Sequence, residues 1–298
     1  TYRGITVGGL DVRLVLDGSV WGLVRVRSTG DGWILRARND GGADAVPLSS
    51  VVRRPVGADD DGPVPDRHLQ ADPAEGPLLL RLAVEVDHAL WVQRPGTWRE
   101  TAEQLLWLTD AAFEQIDVHI RIDHLDAWTV PDPYTAPQAC SASDGSPGKL
   151  QQLRDRWSDD HRPRDAVHLM AGAVSGPVGG CAYTAALNDP RRAYGVSRID
   201  LSRQGADPAY VADNVNLLAH EIGHNVGGRH ARSIGAYGVT GAGATGVVPP
   251  YTLMNPYAQN GLWRFSDLEG VVSPATNEQL DNARPMRSYA ASRLGAAG

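Results

Sequence analysis

The amino-acid sequence predicts a mixed α/β (α+β) protein with a twisted mixed sheet, preceded by a small all-β region. Three observations carry this prediction. Residues 1–54 alternate apolar and polar positions in short runs, residues 55–77 are rich in proline and aspartate, and residues 78–298 alternate strand-like and helix-like segments. A chain of 298 residues is long enough to bury a substantial core. We therefore expect a β-rich region, a connector and one large domain.

The N-terminal region, residues 1–54, is predicted to be a β-meander. Apolar and polar residues alternate from Val12 to Leu16, and turn formers such as Asp17-Gly18 separate the runs. The connector, residues 55–77, holds five prolines and the acidic run Asp59 to Asp61. Such a composition sustains neither a helix nor an inner strand, so we expect an exposed linker.

The large domain is predicted to alternate strands with helices. Apolar residues recur at helical spacing in 97–113, the run at 166–170 is apolar except for His168, and glycines flank 178–183, which favours a sheet edge. The predicted elements are strands at 78–86, 118–122, 166–170 and 178–183, and helices at 97–113, at 149–157, from Asp207 onward and near 277–294.

Charge and cysteine content exclude several classes of function. The formal net charge is −7 and the pI is near 5.7, which argues against a nucleic-acid partner. The longest apolar stretch falls far short of the ~20 residues that cross a bilayer. Two cysteines, Cys140 and Cys181, are too few for a thiolate zinc site, and we expect them to form one disulfide. The chain begins at Thr1 rather than Met, and both features suit an exported protein.

The stretch from Asp207 to His230 carries the chemistry. Asp207-Pro208 is a typical helix start, and five apolar residues then form one core-facing stripe. Those residues are Val211, Val215, Leu218, Ile222 and Val226. His220 and His224 lie one turn apart on a different face, so their imidazoles can reach one metal ion.

A third ligand and a base complete the predicted site. Glycine accepts positive φ, so the helix can end at Gly227 and, with Gly228, turn His230 back to the metal. Three neutral imidazoles leave one zinc position open, as in catalytic zinc sites. Glu221 is placed to contact a water there rather than the metal itself.

The spacing His-Glu-x-x-His-x-x-Gly-x-x-His resembles the zinc-binding helix of the metzincin metalloproteases. Met254, followed by Asn255-Pro256, resembles the methionine turn of that family and supports the zinc site from below. Further likeness to the reprolysin-like (adamalysin) branch lies in Leu82 to Leu90 and in Phe265-Ser266. The resemblance implies a metzincin-type catalytic domain at 78–298 with one catalytic Zn²⁺.

The same resemblance implies a zinc endopeptidase that hydrolyses polypeptides, with Glu221 as the general base. We expect the protein to be secreted and monomeric. Its substrate-side edge strand corresponds to Gly179, Gly180, Ala182 and Tyr183, where an extended peptide would pair by backbone hydrogen bonds. Calcium binding is compatible with the resemblance but is not indicated by the sequence. The alternative from another class is a metzincin fold that binds a peptide or inhibitor without cleaving it.

Residues 1–54 resemble a propeptide, which suggests a zymogen. Residues 1–80 contain no cysteine that could block the zinc, so latency would need another ligand. The acidic and histidine side chains of the connector are the candidates: Asp66, His68, Asp72 and Glu75. The competing interpretation of the connector is a solvated linker without an inhibitory role.

Overall fold

The computed structural model describes residues 2–5, 10–16, 20–26, 32–37, 43–48, 76–141, 144–176, 178–201, 208–230, 253–254, 265 and 282–296. The strands are β1 (Tyr2–Ile5), β2 (Leu10–Leu16), β3 (Val20–Val26), β4 (Gly32–Ala37), β5 (Ala43–Pro47), β6 (Leu78–Val86), β7 (Val118–Ala127), β8 (Ala166–Ala171), β9 (Gly180–Ala182), β10 (Tyr194–Arg198) and β11 (Gly295–Ala296). The helices are α1 (His88–Trp91), α2 (Trp98–Phe113), α3 (Lys149–Trp157), α4 (Pro208–Asn225) and α5 (Ala283–Arg293). The mixed α/β class predicted from the sequence is confirmed.

The N-terminal strands form one antiparallel sheet in the order β1-β2-β3-β4-β5. Each strand pairs with the next along the chain, which is the topology of a meander. We call residues 2–48 of this region the N-terminal sheet. Its connections to the large domain, residues 49–75, lie outside the described residues.

The main sheet has the order β7-β6-β8-β10-β9. Its first four strands are parallel, and β9 pairs antiparallel with β10 at the edge. β11 extends the sheet by pairing with Leu78 and Leu79, beside the part of β6 that pairs with β8. Parallel strands need crossover connections, which α2 and α3 provide.

Strand β10 was not predicted from the sequence. Gly195 and Ser197 interrupt its apolar pattern, which hides a five-residue buried strand. The glycine has a structural reason, since a Cβ at Gly195 would lie 2.8 Å from Nδ1 of His168 on the neighbouring strand. The strand predicted at 78–86 has these bounds in the structure, and the short helix α1, capped by the side chain of Asp87, follows it without having been predicted.

Two buried clusters form the core, one on each face of the main sheet. Helices α2 and α4 pack together on one face, and α3 with Trp157 packs on the other. The first cluster also includes Leu23, Ile34 and Leu48. The N-terminal sheet therefore joins the large domain on its α2 and α4 side, where β4 contacts α4.

Candidate metal centre

Helix α4 presents two histidines from consecutive turns. The apolar stripe predicted for this helix is buried, and Leu218 and Ile222 are both fully inaccessible to solvent. His220 and His224 are also buried, with 1% and 0% of their surface exposed. A buried imidazole pair must have its polar atoms satisfied, so its surroundings decide what it can bind.

The end of α4 brings in the third histidine. Gly227 has φ of +95°, a left-handed conformation that glycine adopts without a Cβ clash. The amide of Gly227 donates to the carbonyl of His224 at 2.8 Å, and that of Gly228 donates to Gly223 at 2.8 Å. This tight turn reverses the chain within a few residues and places His230, which is 4% exposed, beside the helix.

The three imidazoles converge through the same ring atom. Nε2 of His220 lies 3.0 Å from Nε2 of His230 and 3.1 Å from Nε2 of His224, and the third separation is 3.2 Å. Nitrogens bound to one tetrahedral zinc at about 2.0–2.1 Å are about 3.3–3.4 Å apart. The triangle of Nε2 atoms therefore fits a single zinc ion with only a slight outward movement.

Two backbone carbonyls fix which ring nitrogen faces the centre. Nδ1 of His220 lies 2.6 Å from the carbonyl oxygen of Leu253, and Nδ1 of His224 lies 2.8 Å from that of Gly228. A carbonyl oxygen only accepts, so each Nδ1 carries the proton and donates. Each Nε2 then carries a lone pair in the neutral ring. Converging lone pairs repel one another unless a cation lies between them.

Met254 lies directly under this turn. A Cβ at Gly223 would be 2.9 Å from the sulfur of Met254, and one at Gly228 would be 3.1 Å from it. Both glycines therefore allow the methionine to pack against the helix and its turn. Phe265 also contacts Gly223 and is held by Gln115, whose side chain exchanges two hydrogen bonds with the Phe265 backbone.

Glu221 is fully buried and lies against the edge strand. A Cβ built on Gly180 would be 2.3 Å from Oε1 of Glu221, which is closer than any side chain allows. Only glycine at position 180 lets the carboxylate occupy this place. The edge strand and the glutamate beside the histidines are therefore in direct contact.

Backbone hydrogen bonds hold the edge strand beyond its three residues. The carbonyl of Gly179 accepts from the amide of Arg198 at 2.8 Å, and the amide of Tyr183 donates to Tyr194 at 3.3 Å. Ala182 pairs with Gly195 of β10. This ordered backbone includes all four residues predicted to line a substrate.

A disulfide joins Cys181 in β9 to Cys140, with the two Cα atoms 5.4 Å apart. It ties the edge strand to the segment between β7 and α3. Two adjacent residues of β9 therefore have different roles: Gly180 contacts Glu221, and Cys181 forms the disulfide.

Sequence reasoning missed Asn225, the last residue of α4. Its buried Nδ2 donates to the carbonyls of Tyr183 at 2.8 Å and Tyr194 at 3.0 Å, and so ties the histidine helix to the edge strand. The available signal was a polar residue one position from the buried stripe. Another histidine, His168, is buried in β8 beside Ser197 Oγ at 2.9 Å, and burial lowers its pKa to about 3.

Several predicted features lie outside the described residues. These are the proposed helix cap Asp207, the turn residues Asn255 and Pro256, and the connector candidates Asp66, His68, Asp72 and Glu75. Within the described residues, no helix is long and apolar enough to cross a membrane.

Comparison with known proteins places these features in context. A sequence profile of metallo-peptidase family M12, of the reprolysin type, matches residues 79–266. The human disintegrin and metalloproteinase domain-containing protein 33 is 28% identical over 51% of this chain, and the match covers 18% of that protein. Snake venom metalloproteinase atroxlysin-1 from Bothrops atrox is 27% identical over 50% of this chain, and the match covers 71% of the venom protein.

One solved structure, described as a chaperone-substrate complex, aligns with a TM-score of 0.49 and 12% identity. The alignment covers 89% of this chain and 38% of that one. At this TM-score and identity the likeness carries no argument about fold or function.

Proposed function

Because this chain belongs to the reprolysin-like M12 metallopeptidases, a family of zinc-dependent endopeptidases, we propose that it hydrolyses polypeptides at the His220, His224 and His230 centre. The resemblance drawn from the sequence is confirmed at the level of the family. The match spans 79–266, so it includes every residue of the proposed centre. Family membership favours the endopeptidase over the non-catalytic binding module.

One observation carries the proposal: three buried Nε2 atoms converge within 3.0–3.2 Å of one another. His220 and His224 are oriented for this by backbone carbonyls, and His230 by the turn at Gly227. The donor set is three imidazole nitrogens, which suits zinc and leaves a position for water or substrate. We propose a single catalytic Zn²⁺ at this centre.

Glu221 is the proposed general base. When bound, zinc supplies Lewis acidity toward water and the scissile carbonyl. Glu221 takes the proton of the attacking water and passes it to the departing amine, a transfer that typically contributes ~10²–10⁴-fold. Its burial against Gly180 keeps the carboxylate in one place, which supports this role because proton transfer needs a fixed geometry.

The edge strand is the proposed substrate-binding element. An extended peptide would add to β9 by backbone hydrogen bonds, with Gly179, Gly180, Ala182 and Tyr183 along its path. Because Gly180 contacts Glu221, a peptide aligned on this strand has its backbone close to the base. The Cys140–Cys181 disulfide and Asn225 hold the strand from two sides.

We further propose the domain division 1–54, 55–77 and 78–298, with residues 1–54 as a propeptide-like region of a secreted, monomeric zymogen. The disulfide supports an oxidising compartment. In a latent form, one of Asp66, His68, Asp72 or Glu75 would replace water at the metal. A chain that starts at Gly76 should then be more active than the full chain, and equal activity would exclude latency.

The proposed activity is tested by digesting a denatured protein mixture and identifying the cleaved bonds by mass spectrometry. We expect new cleavage sites that disappear on addition of a chelator and return with Zn²⁺. The Glu221→Ala variant should keep its zinc and lose turnover. A protein that binds zinc and peptide but cleaves nothing, with or without residues 1–75, would instead fit the binding-module alternative.

A further inference from the structure

We propose that the N-terminal sheet binds the large domain through an arginine socket on α2 and stays bound, without a covalent link, after the connector is cut. The socket consists of Trp107 and Asp110 of α2 and of Glu114, which directly follows the helix, and its occupant is Arg13 of β2. This inference concerns association rather than catalysis, so it stands independently of the proposed peptidase activity.

The socket surrounds the Arg13 guanidinium with complementary groups. Nη2 of Arg13 lies 2.8 Å from Oε1 of Glu114 and 3.3 Å from Oδ2 of Asp110. Nη1 donates to the backbone carbonyl of Trp107, whose indole ring lies under the guanidinium at 5.3 Å. The Arg13 side chain is fully buried. Two carboxylates, a carbonyl and an aromatic face together meet the recognition needs of an arginine.

Neighbouring charges extend this contact into a network. Arg25 of β3 lies 3.3 Å from Asp11 and 3.8 Å from Glu114, and both of its partners are buried. Asp11 also lies 3.6 Å from Nε of Arg13. Each side of the interface therefore contributes charges that the other side neutralises, and replacing one of these groups leaves its partners buried without a counter-charge.

The other groups that contact Asp110 also favour its charged form. Nδ1 of His119 lies 3.7 Å from Oδ1 of Asp110, and the amide of Ile120 donates to that oxygen. Although burial acts to raise it, the pKa of Asp110 is lowered, through His119 and Arg13. The carboxylate thus stays charged and available to a guanidinium.

Apolar packing and overall charge also favour association of the N-terminal sheet with the large domain. Leu23, Ile34 and Leu48 of the N-terminal sheet are buried in the core cluster that includes α2 and α4. By sequence, residues 1–54 carry eight basic and five acidic residues, whereas residues 78–298 carry 19 basic and 24 acidic ones. A basic module on an acidic domain is electrostatically complementary.

The experiment uses the full chain with a site for a sequence-specific protease inserted between Asp61 and Gly62. A Glu221→Gln background prevents self-digestion, so the result does not depend on activity. After cutting, size-exclusion chromatography at micromolar concentration and ~0.15 M salt should show both fragments in one peak. Separate elution of the N-terminal fragment would overturn the proposal.

Two substitutions test the socket itself from opposite sides. Arg13→Met should raise the dissociation constant of the cut complex at least about a hundredfold, because two buried carboxylates lose their partner. Glu114→Gln tests the same contact if Arg13→Met disturbs the N-terminal sheet, and the double variant should cost less than the sum of the two. Glu103→Gln, exposed on the same helix, is the matched control and should leave binding unchanged.

Arg13→Lys keeps the charge but loses the planar fork and the stacking on Trp107, so it should weaken the complex by an intermediate amount. If Arg13→Met and Glu114→Gln both bind as tightly as Glu103→Gln, apolar packing alone holds the sheet and the socket is refuted.

Discussion

Two buried glutamates, Glu85 and Glu221, pack on opposite faces of the main sheet, and their surroundings differ. Glu85 of β6 accepts hydrogen bonds from the indoles of Trp157 at 2.8 Å and Trp128 at 2.9 Å, and from the hydroxyl of Tyr134. Burial and the charge of Glu85 raise the pKa of Tyr134, so this hydroxyl stays a donor. Glu221, in contrast, follows His220 on α4 and lies against the backbone of Gly180.

This difference teaches that burial alone does not identify a catalytic carboxylate. Three donors occupy the oxygens of Glu85, two from the segment between β7 and α3 and one from α3. A carboxylate bonded in this way joins these parts of the fold rather than exchanging protons. At Glu221 the adjacent strand contributes no side chain, because position 180 is glycine. We therefore expect substitutions at the two glutamates to affect different properties, catalysis at Glu221 and stability at Glu85.

The largest expected effect is on catalysis at Glu221. Glu221→Gln should lower kcat/KM by ~10²–10⁴-fold, because an amide cannot take the proton from water. Zinc content and melting temperature should stay near those of the parent protein. Steady-state cleavage of a peptide together with metal analysis checks this, and a loss below tenfold would remove Glu221 from its proposed role.

A smaller effect is expected at the contact between the edge strand and Glu221. The methyl group of Gly180→Ala would lie only 2.3 Å from Oε1 of Glu221, so the carboxylate or the strand must move. We expect kcat/KM to fall by ~10–100-fold with zinc retained. Gly96→Ala is the control, since nothing lies within 4 Å of its Cβ position. Equal activity of the two variants would show that the contact does not position the base.

The smallest effect on catalysis is expected at Glu85. Glu85→Gln removes the charged acceptor of three donors, two of them in buried hydrogen bonds, which should lower the free energy of unfolding by about 2–3 kcal/mol. Below the melting temperature, kcat/KM should stay within about twofold of the parent, by the separation of the two sites. Thermal unfolding and peptide cleavage measured on the same sample distinguish this outcome from one in which Glu85 takes part in catalysis.

The same contrast explains what the sequence could predict. The histidines are separated by four and six residues, so helix geometry and one glycine turn suffice to predict that they meet. The partners of Glu85 lie 43, 49 and 72 residues away, and no local pattern indicates them. The Arg13 socket is hidden for the same reason, because its partners lie more than 90 residues along the chain.

The predicted fold shows a similar limit. Elements whose apolar residues recur at the spacing of a strand or a helix, such as β6 and α3, begin and end where the sequence places them. Strand β10 was not predicted because glycine occupies position 195, where a side chain would collide with His168 on the neighbouring strand. Local periodicity predicts secondary structure. Where two elements approach closely, glycine replaces the apolar side chain that would have shown the periodicity.

The central claim is that one zinc ion lies between the three imidazoles. Anomalous X-ray scattering from crystals, recorded on both sides of the zinc absorption edge, tests it most directly. We expect a single strong peak at about 2.0–2.1 Å from Nε2 of His220, His224 and His230. A peak bonded to other residues, or protein that takes up no transition metal while its histidines remain in place, would contradict the account.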